Sequence, residues 1–327
     1  MKWLLLAAGL YLLKAAAVYG IMRLIFRSYV AGRTEAEALR ALSVLLAHGY
    51  GVTSDILGEF VKKRRKLPRI LDEYKRHLAS LGELQRQFPE RAVALAVKPS
   101  RIGMEIDEKA FEESLRDIAE CAKEHGIFLW VDAEKFAARD QTVSVVLRVR
   151  KAAGARIGMA IQSVHASSVS LAEKLVEAGL SLRVVKGAYK DGNLYHPNDV
   201  RDCFLRIWHR AAVSETQELV LAAATHDDTL IGELQLSGDH RFERDPAKGG
   251  GPRLEVQMLY GIRMKLQEEL REKGARMHVY VPWGTEWNAY GFLFRRMREG
   301  ASPSALKLFL RNIRESREMR RKLQLSS

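Results

Sequence analysis

Cysteine is almost absent: the only two, Cys121 and Cys203, sit in helical-looking segments without metal-ligand spacing. That argues against a disulfide framework or a structural zinc, and it fits a reducing compartment. Low-complexity sequence is missing as well, apart from a Gly-rich spot at Lys248 to Gly251, so the chain reads as globular. No GxSxG, HExxH, P-loop or GxGxxG spacing occurs in the right context, which leaves a serine hydrolase, a zinc protease or a kinase without support. Helix-turn-helix, zinc-finger and RNA-binding signatures are also missing. The longest apolar stretch near the start, Trp3 to Leu13, is broken by Lys14, so no uninterrupted membrane span exists there.

What is abundant is positive charge. The formal net charge is +13, which suits nucleic acid, a membrane surface or an anionic cofactor. Seven Lys or Arg against two Glu fall between Ala305 and Ser327. There Leu306, Phe309, Leu310, Ile313 and Met319 recur near helical spacing and predict a basic amphipathic helix. A solvated face is the first reading of those charges, a membrane surface the second, and nucleic acid ranks below both. The N-terminal apolar segment reads as a hydrophobic helix that packs on the domain or dips into a bilayer face. A signal peptide with Lys2 as its basic region and Ala15 to Ala17 near the cleavage site is the alternative.

From Thr34 onward a rhythm begins. Thr34 and Glu37 have capping-box spacing ahead of a leucine-faced helix running to Ala47. Apolar, β-rich runs then recur at Gly51 to Ile56, Ala92 to Lys98, Gly126 to Asp132, Arg156 to Gln162, Ser181 to Gly187, Leu219 to Thr225, Arg253 to Leu259 and Arg276 to Pro282. Helical patterns separate them, among them Glu108 to Glu124, Leu171 to Ala178, Val200 to Ala212 and Lys265 to Lys273. Alternation of this kind implies parallel strands with right-handed crossovers, and eight units imply closure into a (β/α)8 TIM-type barrel, an α/β fold. The expected organisation is N-terminal hydrophobic and amphipathic helices over 1–48, a catalytic barrel over 49–300 and a C-terminal basic helix over 301–327. The charged, Gly-rich stretch Ser237 to Pro252 reads as a solvated insertion on the opposite face from the carboxyl ends of the strands.

Active sites of such barrels sit at the carboxyl rim. The residues there are Asp55, Lys98, Asp132, Gln162, Lys186, Thr225 with His226, Gln257 and Tyr280 with Trp283. In Ser181 to Gly192, Arg183 and Lys186 flank a strand end, and an ionised group buried without a partner costs many kcal/mol. A ligand pocket answers that need; solvated cations at an ordinary strand end are the alternative, and this stretch alone leaves both open. A metal held by Asp55, Asp132 and His226 is opposed by Lys98, Arg183 and Lys186, so no metal is expected, and the balance favours an anionic ligand. Arg295 and Arg296 could clamp a carboxylate bidentately, with Tyr280, Trp283, Tyr290 and Phe292 as an apolar wall. The alternative is a surface helix in which Arg296 pairs with Glu299.

Taken in order, YVAGRTEAEAL, RVVKGAY, ATH, EVQMLYG, YVPWG and FRRMREG resemble the proline dehydrogenase family over roughly Tyr29 to Arg311. The resemblance implies an FAD enzyme that oxidises L-proline to Δ1-pyrroline-5-carboxylate and passes the electrons to a membrane quinone. It would be cytoplasmic and peripherally associated with the inner face of the membrane. By motif matching, Gln162, Arg183, Val185, Lys186, Gly187, Ala188, Thr225 and His226 would hold the flavin, with Glu299 at the cofactor's far end. Lys98, Asp132, Tyr280, Arg295 and Arg296 would shape the substrate pocket, Arg183 would stabilise charge on the reduced ring, and Asp132 would orient Lys98. The family usually reads YVPYG, with a tyrosine three residues before the paired arginines. Here Trp283 replaces the second tyrosine, Phe292 holds the other position, and Tyr290 lies five residues before Arg295. Hydroxyproline or another cyclic amino acid is therefore the rival substrate. A membrane-associated flavin-binding protein without turnover is the rival class.

Overall fold

A computed structural model describes Gly20, Arg23 and residues 25–187, 191–214, 219–236, 252–289, 292–293 and 303–323. Eight strands close in sequence order, β1 (Gly51–Ile56), β2 (Val93–Val97), β3 (Phe128–Val131), β4 (Ile157–Gln162), β5 (Ser181–Val185), β6 (Val220–Ala224), β7 (Arg253–Leu259) and β8 (Met277–Trp283). Every pairing is parallel, and the ring closes by β1 against β8, with Thr53 opposite Tyr280. The expected (β/α)8 barrel is therefore the fold.

The helices are α1 (Glu35–Ala47), α2 (Leu67–Gln87), α3 (Glu108–Glu124), α4 (Arg139–Ala153), α5 (Ser168–Glu177), α6 (Pro197–Ala212), α7 (Asp228–Leu236), α8 (Met264–Glu272) and α9 (Pro303–Lys322). From α2 to α8 one helix follows each of the first seven strands, so both faces of every strand are covered. That is why the strands read as nearly continuous apolar runs. Two helices start three residues earlier than their periodicity predicts. In α6 the reason is Pro197 at the first helical position, with the His196 ring accepting the Asn198 N–H as cap.

Side chains alternate between two cores. Outward-facing Val52, Leu95, Leu129, Val184, Val256 and Val279 pack under the helices, whereas Ala94, Ala96, Phe128, Trp130, Val220 and Ala222 fill the bore. Helix α1 adds buried Ala38, Leu42, Leu45 and Leu46 to the outer layer. Its start is fixed by the predicted capping box: Glu37 N–H donates to Thr34 Oγ1, and the Glu37 carboxylate accepts from the Thr34 N–H. Thr34→Ala is expected to cost about 1 kcal/mol. Urea unfolding would read this as a lower midpoint at unchanged slope.

The basic C-terminal helix is present as α9, but it is used differently from the expectation of a free amphipathic face. Ile313 and Met319 of its apolar stripe are buried, and Leu310 is exposed. Ser316 Oγ donates to the Ser28 carbonyl, Arg320 to the Arg27 carbonyl, and Lys322 and Lys265 tie α9 to α8 through Glu268 and Glu318. Burial of that stripe against the barrel competes with insertion into lipid. Among the described residues no helix is long and apolar enough to cross a membrane. The expectations for Met1 to Ala17, the loop over 237–251, Ala188, Tyr290, Arg295, Arg296 and Glu299 lie outside the described residues.

Candidate functional site

The period of two along a strand sets which rim residues converge. Asp55, Lys98, Asp132, Gln162, Arg183, Gln257 and Tyr280 all continue the bore-facing series of their strands, so they meet above the plug of Phe128 and Trp130. The centre is a compact ionic cluster. Lys98 Nζ donates to Asp55 Oδ1 at 2.5 Å and to the Tyr280 hydroxyl at 3.2 Å, and it lies 3.4 Å from Asp132 Oδ2. The Tyr280 hydroxyl donates to Asp132 Oδ2 at 2.6 Å, and Arg183 Nη1 donates to Asp132 Oδ1 at 2.9 Å. Arg183 Nε donates to Gln257 Oε1 at 2.7 Å, and its guanidinium lies 4.5 Å from the Trp130 ring centre. Gln257 is held in turn by Glu255 Oε2 at 3.1 Å.

Two cations thus meet two carboxylates, all but Asp132 nearly inaccessible to water. Burial opposes the charge on Lys98, but Asp55 and Asp132 outweigh it and hold the ammonium pKa above the usual lysine value. Burial, reinforced by Asp132 and Asp55, pushes the Tyr280 phenol well up, so it stays protonated and donates. Burial lowers the Arg183 pKa against the pull of Asp132. The expectation that Asp132 orients Lys98 is refined: Asp55 holds Lys98 more closely, while Asp132 joins Arg183, Tyr280 and Lys98.

Beside the cluster lies a cavity of about 620 Å³, lined by Gln162, Val185, Lys186, Gly187, Thr225 and His226 as well as by the cluster itself. Among the described residues Arg183 Nη2 and Gln162 Oε1, both buried and both at this cavity, have no hydrogen-bond partner. Gln162 Nε2 is spent on the Glu134 carbonyl at 2.8 Å. Lys186 pairs with Asp227 at 2.5 Å, and Asp227 Oδ1 also accepts from the Leu230 N–H at the start of α7. Burial raises the Asp227 pKa, but Lys186 and that N–H prevail and lower it. The Thr225 hydroxyl accepts from the Asp227 N–H, and the His226 ring accepts from the Leu259 N–H. Gly187 has φ +121°, and a β-carbon there would come within 2.7 Å of the Val164 side chain, so the backbone runs bare along the cavity wall.

One expectation fails. Trp283 is not part of the pocket wall; it faces outward, donates from Nε1 to Ser54 Oγ at 3.0 Å and packs near His77. The reason is parity: Trp283 is three residues from bore-facing Tyr280, so the pleat turns it to the helix side. Phe292 does line the cavity. Asp55 and Gln257 read in the sequence only as rim residues and Asp227 is not singled out there, because their partners come from strands and loops tens of residues away. Asp55, Asp132 and His226 do not gather as metal ligands. The one group of acid, thiol and imidazole that converges among the described residues is Cys121, Glu124 and His125 at the end of α3, far from the rim.

A closed parallel barrel that gathers buried charges at its carboxyl rim beside an open cavity defines the class: a (β/α)8-barrel enzyme. The family described as Proline dehydrogenase matches residues 38–306. Proline dehydrogenase 1 of Bacillus subtilis subsp. natto is 32% identical over 94% of this chain and 96% of its own length. Proline dehydrogenase of Deinococcus radiodurans is 30% identical over 83% of this chain and 84% of its length. Among solved structures, proline utilization A from Bdellovibrio bacteriovorus superposes with a TM-score of 0.78 at 21% identity, over 90% of this chain and 34% of that one. The chain belongs to the proline dehydrogenase family and is an oxidoreductase.

Proposed function

We propose that the protein oxidises L-proline to Δ1-pyrroline-5-carboxylate with FAD as hydride acceptor, and that a membrane quinone takes the electrons onward. The observation that carries this reading is the pair of unsatisfied buried atoms, Arg183 Nη2 and Gln162 Oε1, at a cavity of about 620 Å³ beside a charge-balanced cluster. A flavin's polar edge offers both a donor and acceptors, so it fits that pair. Gln162, Arg183, Val185, Lys186, Gly187, Ala188, Thr225 and His226 would hold it, with Glu299 at its far end. When bound, FAD supplies the hydride acceptor at N5 and carries the electron pair away.

The chain's own residues bind and orient. Lys98, Arg295 and Arg296 would fix the proline carboxylate, while Tyr280 and Phe292 would bound the ring. As the hydride leaves the ring carbon, the lone pair of the neutral amine forms the C=N bond, and the protonated imine so formed releases its N–H proton to solvent. Arg183 stays fixed by Asp132 and Gln257 and would stabilise negative charge on the reduced ring. Lys98 and Tyr280 remain protonated, and Asp132 already accepts two hydrogen bonds, so solvent is assigned the task of deprotonating the amine.

Peripheral membrane contact is placed at the carboxyl face. Trp287 and Tyr195 are 90% and 85% exposed, on segments following β8 and β5, and such rings suit the headgroup region. Trp287→Ser should then weaken vesicle binding; unchanged binding would move the contact elsewhere. Phe292 supports a second substrate, hydroxyproline, because a phenyl ring where the family's usual motif has a tyrosine leaves room for a substrate hydroxyl.

Adding L-proline anaerobically to the purified protein should bleach its visible flavin band. A band that persists with proline but bleaches with hydroxyproline selects the second substrate, and no flavin after reconstitution overturns the cofactor. Gly187→Ala is expected to lower flavin absorbance per protein, since a side chain at that φ costs about 1–3 kcal/mol and collides with Val164. Undiminished absorbance would separate this turn from the cofactor.

A further inference from the structure

The opposite mouth of the barrel holds a second cavity, of about 850 Å³, that the oxidation does not use. Its electrostatics differ from those of the rim. Arg86, Arg91, Arg156, Arg253, Arg271 and Arg276 line it, whereas its acids are Glu90 and Glu255. At the rim each cation of the central cluster has its own carboxylate; here the guanidinium groups outnumber the acids. Arg91 Nη2 and Arg271 Nη1 come within 3.7 and 3.5 Å of one point, the place a β-carbon on Gly49 would occupy. Two guanidinium groups facing one spot from either side form a position suited to an anion. Arg271 faces Glu272 at 3.7 Å, Arg253 meets Glu255 at 2.8 Å and Arg86 meets Glu83 at 3.1 Å, whereas Arg91 has no ion pair among the described residues.

The cavity also reaches a buried, unsatisfied group. His278 is 6% exposed, and its Nδ1 has no hydrogen-bond partner among the described residues. Its Nε2 lies 3.3 Å from Glu255 Oε1 without a hydrogen bond between them, and burial lowers the ring's pKa against the pull of Glu255, so the ring is neutral and one of its nitrogens is an acceptor; Nδ1 is the one without a partner. The ring fits because residue 51 is glycine: a β-carbon there would come within 2.3 Å of it. Arg253 Nε and Arg271 Nε are likewise buried without a hydrogen-bond partner. The floor therefore offers guanidinium donors for an anion and one acceptor for a hydroxyl.

We propose that this amino-terminal mouth binds a phosphate ester carrying a free hydroxyl, with Arg91 and Arg271 on the phosphate and His278 Nδ1 accepting from the hydroxyl. Guanidinium forks match phosphate oxygens bidentately, and a hydroxyl satisfies the imidazole. Two sources share that chemistry, a small free sugar or polyol phosphate and the glycerophosphate headgroup of a lipid.

The test is calorimetric titration of the full-length, flavin-loaded protein with glycerol 1-phosphate at low salt. Loading occupies the rim, so binding there does not confuse the result. Arg91→Ala/Arg271→Ala is expected to weaken binding by about tenfold or more, since each lost bond is to a charged group. Lys109→Ala/Arg314→Ala, which removes the same charge from exposed positions, should leave it unchanged. Arg91→Glu, at an exposed position, repeats the test without disturbing the fold. Replacing glycerol 1-phosphate by inorganic phosphate should cost affinity in wild type but not in His278→Ala. Vesicles of phosphatidylglycerol that displace the probe would identify the headgroup as source, and vesicles that do not would identify the free ester. No heat of binding, or equal weakening by both double variants, overturns the proposal.

Discussion

Lys98→Met should lower kcat/KM for proline by about 10²- to 10³-fold while flavin remains bound. Methionine matches the stem of the lysine but removes the ammonium that touches Asp55 at 2.5 Å, Tyr280 at 3.2 Å and Asp132 at 3.4 Å. A charge-assisted bond contributes about 1.5–3 kcal/mol, and losing the one assigned to the substrate carboxylate, together with the geometry of Tyr280, accounts for that range. Two carboxylates are then left facing each other in a site where Asp55 is 1% exposed. An unpaired buried charge costs about 3–5 kcal/mol, which protonation relieves. Burial already raises the Asp55 pKa, and the loss of Lys98 raises it further. A carboxyl whose folded value lies above its unfolded value of 3.8 stabilises the fold below 3.8 and loses that contribution as pH rises through the folded value. The deficit of the variant relative to wild type should therefore grow from pH 4 towards pH 8 in urea titrations. A deficit independent of pH would mean that Asp55 is not left charged and buried, and loss of flavin together with activity would give Lys98 a structural task instead.

Much of this architecture is legible in the chain, for a physical reason. β1 and β7 run over the residues that the apolar runs predict, β8 ends one residue beyond its run at Trp283, and the other strands lie within theirs, because a strand covered on both faces must be apolar along its length. The same uniformity hides orientation. When both faces are apolar, hydrophobicity does not say which side chains fill the bore, and aromatic character alone points Trp283 to the pocket. Counting from Tyr280 corrects it, since positions an odd number apart face opposite sides. Lys98, Asp132, Arg183 and Tyr280 are recognisable as polar residues at strand ends, and the barrel brings them together. Their partners are harder to read. Asp55 and Lys98 are 43 residues apart, Arg183 and Gln257 74, so only closure of the ring shows that they pair. Gln257 carries no charge to signal its task, and Asp227 stands beside Asp228 with nothing in the sequence to tell them apart; Asp227 takes Lys186 and Asp228 takes Arg263.

The removal of Asp132 should separate binding from chemistry. Its carboxylate is the shared acceptor of the cluster, receiving Arg183 on one oxygen and Tyr280 on the other. Asp132→Asn keeps the shape but deletes a negative charge, so Lys98 and Arg183 face Asp55 alone and the pocket gains net positive charge. A substrate carboxylate is then attracted more strongly, and KM should fall. At the same time the asparagine amide turns a donor towards Arg183 or Tyr280, both of which are donors themselves, and the guanidinium loses its fixed position. kcat should fall by more than KM, so kcat/KM drops by about tenfold or more. Asp132→Ala removes the acceptor altogether and should cost about 3–5 kcal/mol of stability, because it leaves the nearly inaccessible Arg183 without its carboxylate. Tyr280→Phe, which deletes a neutral donor, should cost about 1–2 kcal/mol. The two positions touch at 2.6 Å, so their losses should not add: the double variant is expected to be more stable than the sum of the singles implies, by about 1 kcal/mol or more. Additive losses would mean that Asp132 and Tyr280 act separately, and an unchanged KM in Asp132→Asn would mean that the excess charge does not reach the substrate. Together the kinetic split and the coupling test whether the four charges and the phenol act as one unit, in which Asp132 gives up attraction for the substrate in exchange for a rigid Arg183.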